Sequence, residues 1–214
     1  MSVDVKGQLA AVERAVSSLE RDGRAARSVA LGRGFPVDLE DLWDAVTNGE
    51  RIPCWLLPII GDLELGGRYQ LEGNAGGVIT ACEPPTHYAV TWEFAGDTSW
   101  VKVGCAADAE GGARLKLTHT MLHSPHWDQY GPGATGVAWE LGLLGLALHL
   151  TEPDTPSLDE EAFAASSEGK ALITGSAEAW GEAGIAAGED PDAARAAAGR
   201  TAVFYTTQPA NTAG

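Results

Sequence analysis

The sequence is poor in cysteine, in basic side chains and in any signature of nucleophilic or metal-dependent catalysis. Its three cysteines among 214 residues, Cys54, Cys82 and Cys105, form an odd set with no CxxC spacing. That excludes a disulfide framework and reads as buried thiols in a reducing compartment. Lys and Arg number 14 against 30 Asp and Glu, a formal charge of -16. A surface this acidic repels phosphate backbones and anionic lipid heads, so neither nucleic acid nor a membrane is an expected partner. No GxSxG, Walker or HExxH pattern occurs, and no serine sits in an elbow-like setting. Asp4, Lys6 and Gln8 stand where a secretory leader needs an apolar stretch, so the expected location is cytoplasmic.

What is present is core material. Hydrophobic residues make up 44% of the chain and seven are Trp, which suits a domain of ordinary size with an appendage. The run Gly131 to Leu150 is apolar apart from Glu140 and His149. As a membrane span it lacks basic flanks, and Glu140 at the bilayer centre costs roughly 2.5 to 3.5 kcal/mol, so it reads as a core helix.

Val5, Leu9, Val12, Val16 and Leu19 recur at helical steps and predict an opening amphipathic helix. Past Glu13 a second reading competes with it, because Asp22-Gly23 is a hairpin signal and Ala26 to Leu31 a strand, which makes the residues before Asp22 an extended partner. Pro36 and Asp38 precede the stripe Leu39, Leu42, Trp43 and Val46 of a short helix, with Asn48 capping a second that Pro53 bends. From Pro58 to Leu122 the period becomes two, with turns at Gly73 to Gly77, Ala95 to Asp97 and Asp108 to Gly112, and a break at Pro84-Pro85. Five or more antiparallel strands follow, with Val90, Trp92 and Phe94, Val101, Val103 and Cys105, and Leu115, Leu117, His119 and Met121 on one apolar face.

A long helix is predicted over about Ala134 to His149, apolar on two sides, so the sheet and the C-terminal segment are both expected to cover it. Ser157-Leu158-Asp159-Glu160 reads as a capping box opening a helix that carries Leu172, Ile173, Ser176 and Trp180 inward and ends at Gly188. Asp190-Pro191 starts a last helix with Ala194, Ala197, Thr201 and Phe204 inward.

Three constellations could carry chemistry. His119, His123, His126 and Asp128 lie close together, but on both sides of a strand end, a poor spacing for zinc; no metal or cofactor is expected. His119 continues the inward parity of Leu117, where a neutral imidazole can meet a bound polar head or be satisfied by Glu93, a tyrosine or backbone. The aromatics Trp55, Tyr69, Trp92, Trp127, Tyr130 and Trp139 come from separate elements and, with Leu143, can line an apolar pocket if a curved sheet wraps the long helix.

The text Leu42-Trp43-Asp44-Ala45-Val46-Thr47, Glu50-Arg51-Ile52, Trp55, Gly61-Asp62-Leu63, Gly66-Gly67-Arg68-Tyr69, Gly77, Glu83-Pro84-Pro85, Val90-Thr91-Trp92 and Trp139 resembles the activator-of-Hsp90-ATPase homologue (AHSA1-like) family of the START/Bet v 1-like (SRPBCC) superfamily. The resemblance implies an α+β helix-grip fold, a curved antiparallel sheet around a long C-terminal helix, here with extra terminal helices. It suggests residues 1–24 as an N-terminal extension, 25–150 as the family domain and 151–214 as a helical extension packing on it, with a homodimer surface as one use of these additions.

Such a fold supplies a pocket without naming its occupant. The leading expectation is a small apolar ligand held between sheet and long helix by Trp55, Tyr69, Trp92, His119, Trp127, Tyr130, Trp139 and Leu143. The alternatives are a cyclase or dehydratase with His119 as acid/base assisted by Tyr69 or Glu72, and a co-chaperone-like protein-interaction regulator.

Overall fold

The structure, a computed structural model, describes residues 3–109, 111–154 and 156–207. Residue 110, inside the expected Asp108–Gly112 turn, lies outside them. The chain opens with helix α1 (Val5–Ala10), capped by the Asp4 carboxylate accepting from the Gly7 amide. Strands β1 (Val12–Arg21) and β2 (Arg24–Phe35) follow as a hairpin. Asp22 and Gly23 both take positive φ, 52° and 73°, the geometry that a two-residue turn between right-twisted strands requires. The expected N-terminal helix is therefore cut short at Ala10, and the extended reading of Val12 to Arg21 is the one realised. Pairing with β2 outweighs the helical spacing of Val12, Val16 and Leu19, because periodicity is a weak prior beside strand pairing within a sheet.

Helix α2 (Leu39–Thr47) starts where Asp38 accepts from the Asp41 amide and buries Leu42, Ala45 and Val46. In place of a second α-helix there is one 3-10 turn, Ile52–Cys54, with Pro53 inside it. Strands β3 (Ile59–Gly61), β4 (Arg68–Leu71), β5 (Gly76–Glu83), β6 (His87–Phe94), β7 (Asp97–Ala107) and β8 (Ala113–Leu122) form an antiparallel succession. The sheet order is β1-β2-β8-β7-β6-β5-β4-β3. The helices after it are α3 (Pro125–Tyr130), α4 (Gly133–Thr151), α5 (Glu160–Ala165), α6 (Ser167–Ala186) and α7 (Pro191–Thr207). The α+β helix-grip architecture is realised.

By compactness the described chain divides into two units. One comprises residues 3–31, 122–141 and 159–207; the other comprises 32–109, 111–121, 142–154 and 156–158. Both β2 and α4 contribute to each.

In the first unit, α6 and α7 pack on each other and on the first half of α4. The single helix expected after Ser157 is in fact two. Asp159, not Ser157, caps α5 by accepting from Ala162, and Ser166 ends α5 and caps α6 by accepting from Gly169. The break is fixed by space: a Cβ on Gly169 would come within 1.8 Å of the Phe163 carbonyl. Leu172, Ile173, Ser176 and Trp180 are all buried as expected, and Gly188 with φ 98° ends the α6 segment. Asp190 caps α7 by accepting from Ala193, with Ala194, Ala197 and Thr201 buried.

In the second unit, the wall of the sheet is built from Val90, Val101, Val103, Cys105, Leu115 and Leu117, all buried. The second half of α4 reaches Trp55 closely. A Cβ on Gly145 would lie 2.5 Å from the Trp55 carbonyl oxygen, so glycine is what admits the contact. The three thiols do not behave alike: Cys105 is buried, Cys82 half-buried and Cys54, at the end of the 3-10 turn with its sulfur 3.7 Å from the Glu50 carbonyl, exposed.

Candidate functional site

The register of β6, β7 and β8 assembles the best-defined polar point on an apolar face. Trp92 pairs with Ser99, Val90 with Val101, and Val101 in turn with His119. Directly opposed residues share a face, so Trp92, Ser99, Val101 and His119 project to the same side. The Trp92 and His119 rings lie 5.9 Å apart, tilted by 59°. Nε2 of His119 is 2.8 Å from Ser99 Oγ, and that hydroxyl donates to the Trp92 carbonyl at 3.1 Å. Since the serine proton is committed to the carbonyl, its lone pair accepts from Nε2–H, and the network assigns the neutral tautomer with Nδ1 as acceptor.

Burial holds that ring neutral. His119 is only 7% exposed, and loss of hydration lowers its pKa from 6.5 to about 4. On β4, Tyr69 is buried with its hydroxyl donating to the Thr91 carbonyl at 2.8 Å; burial first, then the charge of Glu93, pushes its pKa up. Glu93 is occupied by Arg68 at 2.7 Å and by the Thr91 hydroxyl, and these bonds hold its carboxyl below its usual range. It does not satisfy His119; Ser99 does. Tyr88 continues the face, edge-on to Trp43 of α2 at 6.2 Å.

Of the eight aromatic, histidine and leucine positions expected to line a pocket, five lie in this unit. Trp92 and His119 are in contact, and Tyr69 joins them through Thr91. Trp55 is half-buried, its Nε1 donating to the Ala45 carbonyl at 2.9 Å, and Leu143 is buried in α4. The other three lie in the first unit. Trp127 is buried with Nε1 3.3 Å from Glu189 Oε1, Tyr130 packs on Phe204 and His126 with centroids 5.2 and 4.9 Å away, and Trp139 is half-buried on α4. Glu72, the expected assistant of His119, is exposed. His123 pairs with Asp128 at 3.0 Å. Among the described residues no group of three His, Cys, Asp or Glu is arranged to hold a metal ion.

Sequence reasoning missed Ser99 and Tyr88. Tyr88 follows from its alternation with Val90 and Trp92 along β6, and Ser99 from the Ala95-Gly96 turn once its length is known: positive φ at both residues, 51° and 89°, makes a two-residue loop that sets Phe94 against Asp97 and hence Trp92 against Ser99.

Residues 36–147 match the family model described as activator of Hsp90 ATPase homolog 1-like protein. Among solved structures the chain is similar to CalU16 from Micromonospora echinospora. The CalU16 crystal structure is 28% identical with a TM-score of 0.67, covering 81% of this chain and 98% of that one. The CalU16 solution structure is 27% identical with a TM-score of 0.69, covering 83% and 97%. A crystal structure of MLL2253 from Mesorhizobium loti, 22% identical with a TM-score of 0.53 and covering 60% and 100%, shares the fold. No curated protein matches the chain.

Proposed function

The chain belongs to the activator of Hsp90 ATPase homolog 1-like family, and from that premise we propose that it is a binding module for a small apolar molecule carrying one hydrogen-bonding group, seated on the Trp92–Ser99–His119 face. The observation that carries this reading is the neutral imidazole locked to Ser99 beside the half-buried Trp92 ring. Apolar walls give affinity by leaving water, and one fixed polar point gives orientation.

The same observation weighs against acid/base catalysis by His119. With a pKa near 4 the ring carries no proton to donate at neutral pH, and as a base it is too weak to compete with water-exposed histidines. Binding needs only the neutral form.

The test is amide and indole NMR of the full chain with a neutral fluorescent hydrophobe that carries one N–H, phenylnaphthylamine. Saturable shifts at Trp92, Ser99 and His119, lost in Trp92→Ala with the fold retained, support the reading. Unshifted resonances at all three positions up to the solubility limit, with no co-purified small molecule in native mass spectrometry, overturn it.

A further inference from the structure

In the first unit α3 and α7 line an open groove of about 470 Å³, within the usual range of small-molecule sites. Its floor is Tyr130 and Phe204, with Val203 at its lip, 59% exposed. Exposed valine beside two aromatic rings is apolar surface that the described residues leave uncovered.

Gly199 marks the hollow. It lies in the interior of α7, where glycine costs about 1 kcal/mol relative to alanine. The glycines of α6, Gly169, Gly175, Gly181 and Gly184, are explained by close contacts, but a Cβ on Gly199 meets nothing within 4 Å. Packing does not require it; its missing side chain leaves the groove open.

Arg200 supplies the charge. Of the three bases after Thr151, Arg195 pairs with Glu182 at 3.3 Å, while Arg200 has no carboxylate partner among the described residues. Its Nε donates to the Gln129 carbonyl at 2.6 Å, which ties the guanidinium to the groove wall. In a chain with 30 acids and 14 bases, an arginine that no described acid pairs with, beside an open aromatic floor, is a place for an anion from outside.

We infer that the α3–α7 groove is a second binding site, independent of the Trp92–His119 face, and that it takes an amphipathic monoanion: an aryl or alkyl chain on Tyr130, Val203 and Phe204 with its carboxylate or sulfonate on Arg200.

The matched probes are anilinonaphthalene sulfonate and neutral phenylnaphthylamine, added to the full chain and followed by amide NMR. The sulfonate is expected to shift the Gly199 and Val203 amides and to bind there more tightly than the neutral probe. Arg200→Gln is expected to weaken the sulfonate about tenfold, the scale of one charged hydrogen bond, and to leave the neutral probe within about twofold. Gly199→Leu is expected to abolish sulfonate binding without lowering Tm, since it fills the groove and improves helix propensity. Equal sulfonate affinity in Arg200→Gln and the parent overturns the inference, as do shifts confined to other parts of the chain. Trp92→Ala, which tests the other face, leaves these readouts unchanged.

Discussion

Arg14 on β1 grips Glu140 on α4 with two parallel bonds, Nε to Oε1 and Nη2 to Oε2, both 2.7 Å. Trp180 of α6 donates its Nε1–H to the same Oε1 at 2.7 Å, and Nη1 of Arg14 ties back to the Leu9 and Val12 carbonyls. Glu140 is 5% exposed, so an ion pair with every bond made ties three elements together inside the first unit.

Breaking that pair from one side leaves a charge with nowhere to go. Glu140→Ala is expected to cost about 3 to 5 kcal/mol, because Arg14 stays buried without its counter-ion and the Trp180 indole loses its acceptor. Arg14→Met with Glu140→Leu should recover most of the loss, since two apolar side chains need no partner. Urea unfolding of the single and double variants decides it; a single-variant cost under about 1 kcal/mol refutes the account.

Gly136 sets propensity against packing. Alanine there is favoured by about 1 kcal/mol as a helix former, yet its Cβ would stand 2.1 Å from Cε2 of the fully buried Trp180. Indole and backbone are both hemmed in, so overpacking at about 1 to 3 kcal/mol is expected to win and lower Tm. Trp180→Leu in the same chain should remove the Gly136→Ala penalty, measured as a non-additive pair in thermal melts.

Acid should loosen the fold through His119. Unfolded imidazole takes its proton below the ordinary value of 6.5, whereas the buried ring resists until about 4. Above the first value the ring is neutral in both states and has no pH effect. Between them the unfolded state binds more protons, so stability falls as pH falls, by up to about 3 kcal/mol in all. His119→Gln, which can still meet Ser99, should flatten the decline between about pH 7 and pH 5 in urea midpoints. An unchanged acid slope would show that other groups carry it.

Much of the site is legible in the sequence. The alternation Leu115, Leu117, His119 placed the imidazole inward, and Trp92 fell on the matching face of its own strand, because side chains in a strand alternate whatever the neighbours are. The partner of His119 was not legible, since register depends on a turn one residue longer or shorter. Nor was Arg14: its helical neighbours Val12 and Val16 suggested another element. One signal did point to it. Glu140 is the single acid between Gly131 and His149, and a carboxylate in so apolar a run requires a buried cation. The Arg200 groove gave no sequence signal, because an arginine without an acid partner is recognised only once its surroundings are in place.

By itself the sequence determined the Asp22-Gly23 hairpin, the short helix after Asp38, the run of antiparallel strands to Leu122, the long apolar helix after Gly131 and the family to which residues 36–147 belong, because local periodicity, turn chemistry and characteristic residues are written along the chain. The extended state of Val12 to Arg21, the pairing of Arg14 with Glu140, the hydroxyl that holds His119 neutral and the open side of α7 were decided only in three dimensions. Each rests on which distant groups share a space too small for water, and that is a property of the packed chain.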